Sequence, residues 1–504
     1  MVAELSAVAV ESGLLIGGQE EPGHDLPLDV RNPATGARIG LVQSADPGDI
    51  DRAVVSAQAA FESGVWSGLP IHARALLLQR FAGLIEADLE QLYLLETSNN
   101  GRPRTETKAQ VARLPEWYRY NAALLLADRT AVVPMAGPYH SYLERFPLGT
   151  VGILSSFNHP LMIASKSLAP ALAAGNSVVL KPSELTPLTA LRLGRLALQA
   201  GIPPGVLNVA PGRGPLAGSA LVSHPLIAKV SFTGGTEVGR QVAVAAAARF
   251  ARCTVELGGK TPVIVFADAP VRGAAQGAAF AAFIGAGQTC IAGSRFLVQA
   301  SIYREFLAAF VEVAAAIRVG DPEDPRTQLG PVITAAAQAR ILDHVQLGIA
   351  EGARLASGGE RVLVPGCEKG HFVAPTILAD ANNGMRVARE EIFGPVAVVM
   401  PFEEEDEAVA LANDSRYGLG SAVWTQDVAR AHRVARRLEF GMVWVNDHHR
   451  LDPASPWGGV RDSGIGSEGG WESFHDFSHQ RSVSVRTAVE PVDWYGSVGT
   501  DRLN

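Results

Sequence analysis

Cys290 stands in the run Gly287-Gln288-Thr289-Cys290-Ile291-Ala292-Gly293-Ser294-Arg295, just before the strand-like Arg295-Phe296-Leu297-Val298-Gln299. Its small neighbours leave room for an electrophilic carbon to reach sulfur, and a thiolate is a nucleophile fit for covalent catalysis. A lone cysteine is more often a small buried hydrophobe, so its company decides the reading. Glu256 closes the strand-like Cys253-Thr254-Val255 and precedes Leu257-Gly258-Gly259-Lys260, which puts a carboxylate at a strand end against a glycine turn. Open α/β sheets collect reactive groups at such ends. Asn158, in Ser155-Ser156-Phe157-Asn158-His159-Pro160, follows another strand and offers an amide N–H to an oxygen that becomes negative. By themselves a single Glu is a surface group and a turn Asn is a turn Asn.

A second set suits a dinucleotide. Lys181-Pro182-Ser183-Glu184 follows the strand-like Ser177–Leu180, where a Glu can accept both hydroxyls of an adenosine ribose. Ser231-Phe232-Thr233-Gly234-Gly235-Thr236-Glu237 runs from a strand into a helix through glycines, which aims backbone N–H groups and the helix dipole at a pyrophosphate. It is not a G-x-G-x-x-G and is weak in isolation.

The elements that must position these residues change character along the chain. Segments 47–63, 71–98 and 104–127 carry helical apolar spacing, broken by Gly68, Pro70 and the Asn99–Pro103 turn. From Gly149, short β-rich runs alternate with longer helical ones, as parallel strands with crossover helices do. A second alternation begins near Pro262. The stretch 129–146 is rich in Pro and aromatics, and the segment from Arg481 alternates like an exposed strand, so both read as interface pieces.

With 504 residues the chain exceeds one continuous core, so two large domains are expected. Apolar residues at 47% and charged residues at 19% fit a soluble globular protein. A net charge of -8, with no dense Lys/Arg run, excludes the basic field that nucleic acid requires. No apolar run reaches the ~18 residues of a spanning helix, and Glu4 with no basic leader argues against secretion, so a cytoplasmic protein is expected. Cys253, Cys290 and Cys367 are too scattered for a disulfide framework or a metal knuckle, and no metal is expected.

The blocks FTGGTEVGR, VELGGKTPVIVF, GQTCIAGSR, EEIFGPV and PWGGVRDSGIG resemble, in order and spacing, the signatures of the aldehyde dehydrogenase superfamily, from about Arg31 to Gly470. The resemblance implies an α/β fold: a Rossmann-type NAD-binding domain (1–128 and 148–256), an α/β catalytic domain (257–460), a return segment (461–477), and a small β oligomerisation flap with tail (129–147 and 478–504). It implies Cys290 as nucleophile, Glu256 as general base and Asn158 as oxyanion donor. It also implies Lys181, Glu184, Gly235, Leu257, Glu391 and Phe393 as NAD contacts, with NADP disfavoured by the Glu184 carboxylate. The implied reaction oxidises a small-molecule aldehyde to an acid through a Cys290 thioester, in a homodimer or homotetramer. The alternatives are a CoA-acylating relative and a non-catalytic protein of the same fold.

The sequence departs from many relatives beside the nucleophile. His159 follows the oxyanion Asn, Lys166 replaces an aromatic, and Trp457 stands where Phe is common. With His448, His449 and Arg450 these residues predict a polar tunnel mouth that meets a carboxylated semialdehyde, while Trp457, Trp444, Phe157 and Phe283 keep an aromatic or terpenoid aldehyde open.

Overall fold

The helix Pro47–Glu62 shows how local sequence sets the N-terminal layer. Asp46 accepts from the Asp49 N–H at 2.8 Å while Asp49 accepts from the Asp46 N–H at 3.0 Å, a reciprocal cap. The buried stripe Ile50, Ala53, Val54 and Ala57 follows at helical spacing. The structure, a computed structural model, describes residues 10–489. The tail expected beyond 489 and the first nine residues of the expected NAD-binding domain lie outside the described residues.

Two expected long helices are each broken once. Segment 71–98 divides at Asp88 into Ile71–Ala87 and Leu89–Asn100, with the Asp88 carboxylate held by Arg192. Segment 104–127 divides into Arg104–Val111 and Leu114–Ala127, where Pro115 starts a new first turn.

The first large sheet carries parallel strands in the order Arg252–Glu256, Ile227–Thr233, Thr150–Leu154, Ser177–Lys181, Leu207–Val209. Thr150–Leu154 and Ser177–Lys181 are buried throughout, which is why their middles, 151–154 and 178–180, carry no polar side chain. The strand order reverses beside Thr150–Leu154, and the diverging connections there open a crevice at the carboxyl ends. Asn158 and Gly235 follow two of those ends.

The second sheet lines up Thr376–Ala379, Val396–Phe402, Gly293–Gln299, Thr261–Val265, Gly420–Trp424 and Met442–Val445 in parallel, with Arg354–Ser357 antiparallel at one edge. After Val445 the chain comes back: Gly464–Ile465 pairs with Arg252–Glu256 of the first sheet. Ser478–Arg486 then pairs antiparallel with Tyr139–Pro147 along its whole length in a separate three-stranded sheet.

Candidate active site

Glu256 ends its strand buried, and the two glycines after it let other groups crowd close. A Cβ on Gly258 would stand 2.2 Å from Glu391 Oε2, and one on Gly259 would stand 2.5 Å from the Cys290 carbonyl oxygen. The Gly259 N–H instead donates to Glu391 Oε1 at 3.1 Å. The Leu257-Gly258-Gly259 turn therefore joins Glu256, Glu391 and the cysteine loop, which comes from the second sheet. Gly285, Ala286 and Gly287 all take positive φ, 61°, 55° and 68°, and turn the chain sharply before Cys290.

Asn158 faces the same loop. Its Nδ2 donates to the Gln288 carbonyl at 2.9 Å, and Ser156 Oγ donates to its Oδ1 at 2.7 Å, so the amide cannot flip and one Nδ2 hydrogen stays free. Asn158, Glu256 and Cys290 line one cavity of about 1060 Å³. Burial pushes the Cys290 thiol up to about 12, against the pull of Lys166. Burial, then the negative charge of Glu468, drives Glu256 well above the usual carboxylate range, with Lys166 and a Trp457 hydrogen bond opposing. A thiol so placed needs a base to take its proton.

That cavity is large enough for a dinucleotide. Lys181 and Glu184 line it, their charges 3.5 Å apart, with Lys181 buried and Glu184 partly exposed. The helix Thr236–Ala247 begins at Gly235 with no side-chain cap, so its first N–H groups are available to phosphate oxygens. Leu257, Glu391 and Phe393 line the part nearest Cys290, and Phe393, held at φ 53°, meets Phe157 edge-on at 5.8 Å. Burial raises Glu391 to about 7. These residues fit NAD: a carboxylate for ribose hydroxyls, free amides for pyrophosphate, and a second carboxylate beside the thiol.

The other side of Cys290 differs from the expected cationic mouth, because its cations and imidazoles are already partnered. Lys166 is buried, its Nζ 2.5 Å from Glu468 Oε2 and 4.5 Å above the Trp457 ring. His448 is buried with Nε2 2.8 Å from the Ile291 carbonyl, and burial lowers it to about 4. His159 bonds Gln110 at 3.0 Å, and His449 lies 3.3 Å from the Ala281 carbonyl. Burial holds both imidazoles well below their ordinary value and therefore neutral. Arg450 is exposed and faces Asp447 at 3.4 Å.

Around the nucleophile, Ile291, Leu419 and Trp457 form an apolar cluster against which Cys290, Met442, Trp444 and Leu451 pack. Phe283 belongs instead to the core of the second sheet. Sequence reasoning missed Glu468, the partner of Lys166, and Gln110, which bonds His159 and accepts a 2.7 Å hydrogen bond from Arg102. Buried Lys166 was the one available signal, since a lysine within an apolar helix face requires a carboxylate.

A dinucleotide-sized crevice at a topological switch point, opening onto a cysteine on a second α/β sheet, is the build of a dehydrogenase that works through a covalent intermediate. The model of the aldehyde dehydrogenase family matches residues 21–483. Phenylacetaldehyde dehydrogenase of Pseudomonas fluorescens is 42% identical over 94% of this chain and 95% of its own. Human retinal dehydrogenase 2 is 41% identical over 91% of this chain and 88% of its own. Betaine aldehyde dehydrogenase of Staphylococcus aureus, solved in complex with NAD+, superposes with a TM-score of 0.95 at 36% identity, covering 98% of each chain. The chain belongs to the aldehyde dehydrogenase family. With that membership go the expected α/β fold, NAD as cofactor and the oxidation of an aldehyde as activity. Among the described residues, no helix is long and apolar enough to cross a membrane.

Proposed function

We propose that this enzyme oxidises neutral aldehydes with an aromatic or bulky apolar tail to carboxylic acids, with Cys290 as nucleophile, Asn158 as oxyanion donor and Glu256 as base. The observation that carries the reading is the sharing of one cavity by Cys290, Glu256 and Asn158, next to the groups that fit NAD. Sγ adds to the aldehyde carbon as Glu256 takes the thiol proton. The new oxyanion is held by the free Nδ2 hydrogen of Asn158 and the Cys290 backbone N–H, donors of a type worth about 3 kcal/mol each. NAD, when bound in the cleft lined by Glu391 and Phe393, would supply the hydride acceptor for this carbon. Glu256 gives the thiol proton up to solvent and, ionised again, deprotonates the water that hydrolyses the thioester, so activity is lost as pH falls through the raised Glu256 value.

Support for the substrate class comes from the wall beside Cys290. Its apolar cluster suits an aryl or long alkyl group. Lys166, spent on Glu468, offers no charge to a carboxylated aldehyde, and by occupying the Trp457 face it leaves that ring unavailable to a quaternary ammonium. The relative named for phenylacetaldehyde agrees with this class. The test is NADH formation with phenylacetaldehyde, a carboxylated semialdehyde and betaine aldehyde. The reading predicts that kcat/KM for phenylacetaldehyde exceeds the other two at least about tenfold, a difference of ~1.4 kcal/mol. Equal or better turnover of a charged aldehyde contradicts it, and a requirement for CoA would show an acylating enzyme.

The same reading extends to assembly. Ser478–Arg486 is the outer strand of its sheet, with a nine-residue edge open to pairing. A second copy of the chain is the proposed partner, giving a homodimer or a dimer of dimers. Light scattering that finds only monomer contradicts this.

A further inference from the structure

Two of the departures noted in the sequence, Lys166 and Trp457, meet behind Glu256. Trp457 Nε1 donates to Glu256 Oε2 at 3.1 Å, both side chains being buried. The other carboxylate oxygen, Oε1, is buried without a hydrogen-bond partner among the described residues. The indole is itself held on two sides. Trp457 and Glu468 exchange two backbone hydrogen bonds of 2.6 Å, an isolated antiparallel bridge. Lys166 closes the loop from the helix Pro160–Ala173, with its ammonium on the indole face and against Glu468. Ser167 Oγ adds a 2.9 Å hydrogen bond to Glu468 Oε1. A phenyl ring at 457 would fill much of this space but could donate nothing to Glu256.

We propose that Trp457 is a positioning residue for Glu256: its N–H fixes Oε2, and the Lys166–Glu468 clamp fixes the indole, so that Oε1 alone is presented to the hydrolytic water. The proposal rests on Glu256 serving as the base. In the step it governs, the water oxygen bonds to the thioester carbon and the water proton passes to Oε1. The C–S bond breaks with its electron pair returning to Sγ, and the acid leaves. An untethered carboxylate in the same pocket samples other rotamers, and each removes the lone pair from the line of the water. Lost orientation acts on deacylation more than on acylation, because the thiol proton needs only a nearby base whereas the water must also be aligned. The charged or titratable groups facing Glu256 are Glu468, Lys166 and Cys290. The N–H bond to Oε2 favours the ionised carboxylate against burial and the charge of Glu468.

The test compares Trp457→Phe with Glu256→Gln in the full-length enzyme. Rapid-quench single turnover with NAD and phenylacetaldehyde separates the burst of NADH, which reports acylation, from hydrolysis of the thioester. Trp457→Phe is expected to keep its burst within about twofold, slow hydrolysis about tenfold, the loss expected for one hydrogen bond to a charged group, and move the alkaline-rising limb of hydrolysis to higher pH. Infrared titration of the cofactor-free protein, with the Glu256 band assigned by its absence in Glu256→Gln, is expected to show the same upward shift. Circular dichroism checks that the variant is folded; if it is not, Lys166→Met, which keeps the N–H and loosens the clamp, is expected to slow hydrolysis in the same selective way. Slow hydrolysis in Glu256→Gln with normal hydrolysis and unshifted titration in Trp457→Phe overturns the positioning role alone. Normal hydrolysis in Glu256→Gln overturns the base assignment and the positioning role with it.

Discussion

The two sides of Cys290 are built differently. On the cofactor side, position is set by backbone: strand ends, the uncapped start of the helix at Gly235, and glycines whose missing Cβ atoms let Glu391 and the cysteine loop approach the Leu257–Gly259 turn. On the aldehyde side, position is set by side chains that satisfy one another, Lys166 with Glu468, Trp457 with Glu256, and His448 with the Ile291 carbonyl. The first kind of site leaves backbone N–H groups at a helix start and a loosely paired Lys181 and Glu184 facing the cleft. The second spends its charges internally and presents a neutral wall.

Several substitutions break or sharpen that contrast. Cys290→Ala, at the junction of the two sides, is expected to lower NADH production by on the order of 10⁴-fold or more, while NAD binding by calorimetry is retained because the cleft does not depend on the thiol. Asn158→Ala removes one oxyanion donor and is expected to slow acylation about 10²- to 10³-fold in a burst experiment, with little change in the KM for NAD. Lys166→Met leaves the Glu468 carboxylate buried without its counterion, so thermal unfolding should show a loss of about 3 kcal/mol. Adding Glu468→Leu to that variant is expected to restore much of the loss. If Lys166→Met instead creates no instability, and Lys166 in the native enzyme binds carboxylated aldehydes, the neutral-wall account fails. The smallest effect belongs to Glu184→Ala, expected to ease the discrimination against NADP about tenfold in kcat/KM, since that carboxylate lies partly exposed at the cleft and is already paired with Lys181.

The contrast also explains what could be read from sequence. Glycine turns after strands are local signals, so the sequence alone puts Glu256 at a strand end and Gly235 at a helix start. The breaks at Asp88 and before Pro115 were not placed, because the apolar spacing runs through both and one of them is set by a contact with Arg192, distant in sequence. The same limit applied to the aldehyde side. Lys166 and Glu468 are separated by most of the chain, and their pairing depends on the return of 461–477 to the first sheet. Without that partner, Lys166 counted as a free cation beside His159, His448, His449 and Arg450, and the wall looked charged. Residue types at a tunnel mouth give its polarity only once the pairing among them is known.

The central claim is that a thioester forms on Cys290 and is released by Glu256. Glu256→Gln mixed with NAD and phenylacetaldehyde, quenched in acid and digested, places it under the most direct test by peptide mass spectrometry. The account predicts that the acyl group still accumulates on the Cys290 peptide, formed more slowly than in the native enzyme because the thiol has lost its base, and that it decays more slowly still. An unmodified Cys290 peptide in a protein that still forms NADH, or an acyl group on Cys253 or Cys367 instead, would contradict it.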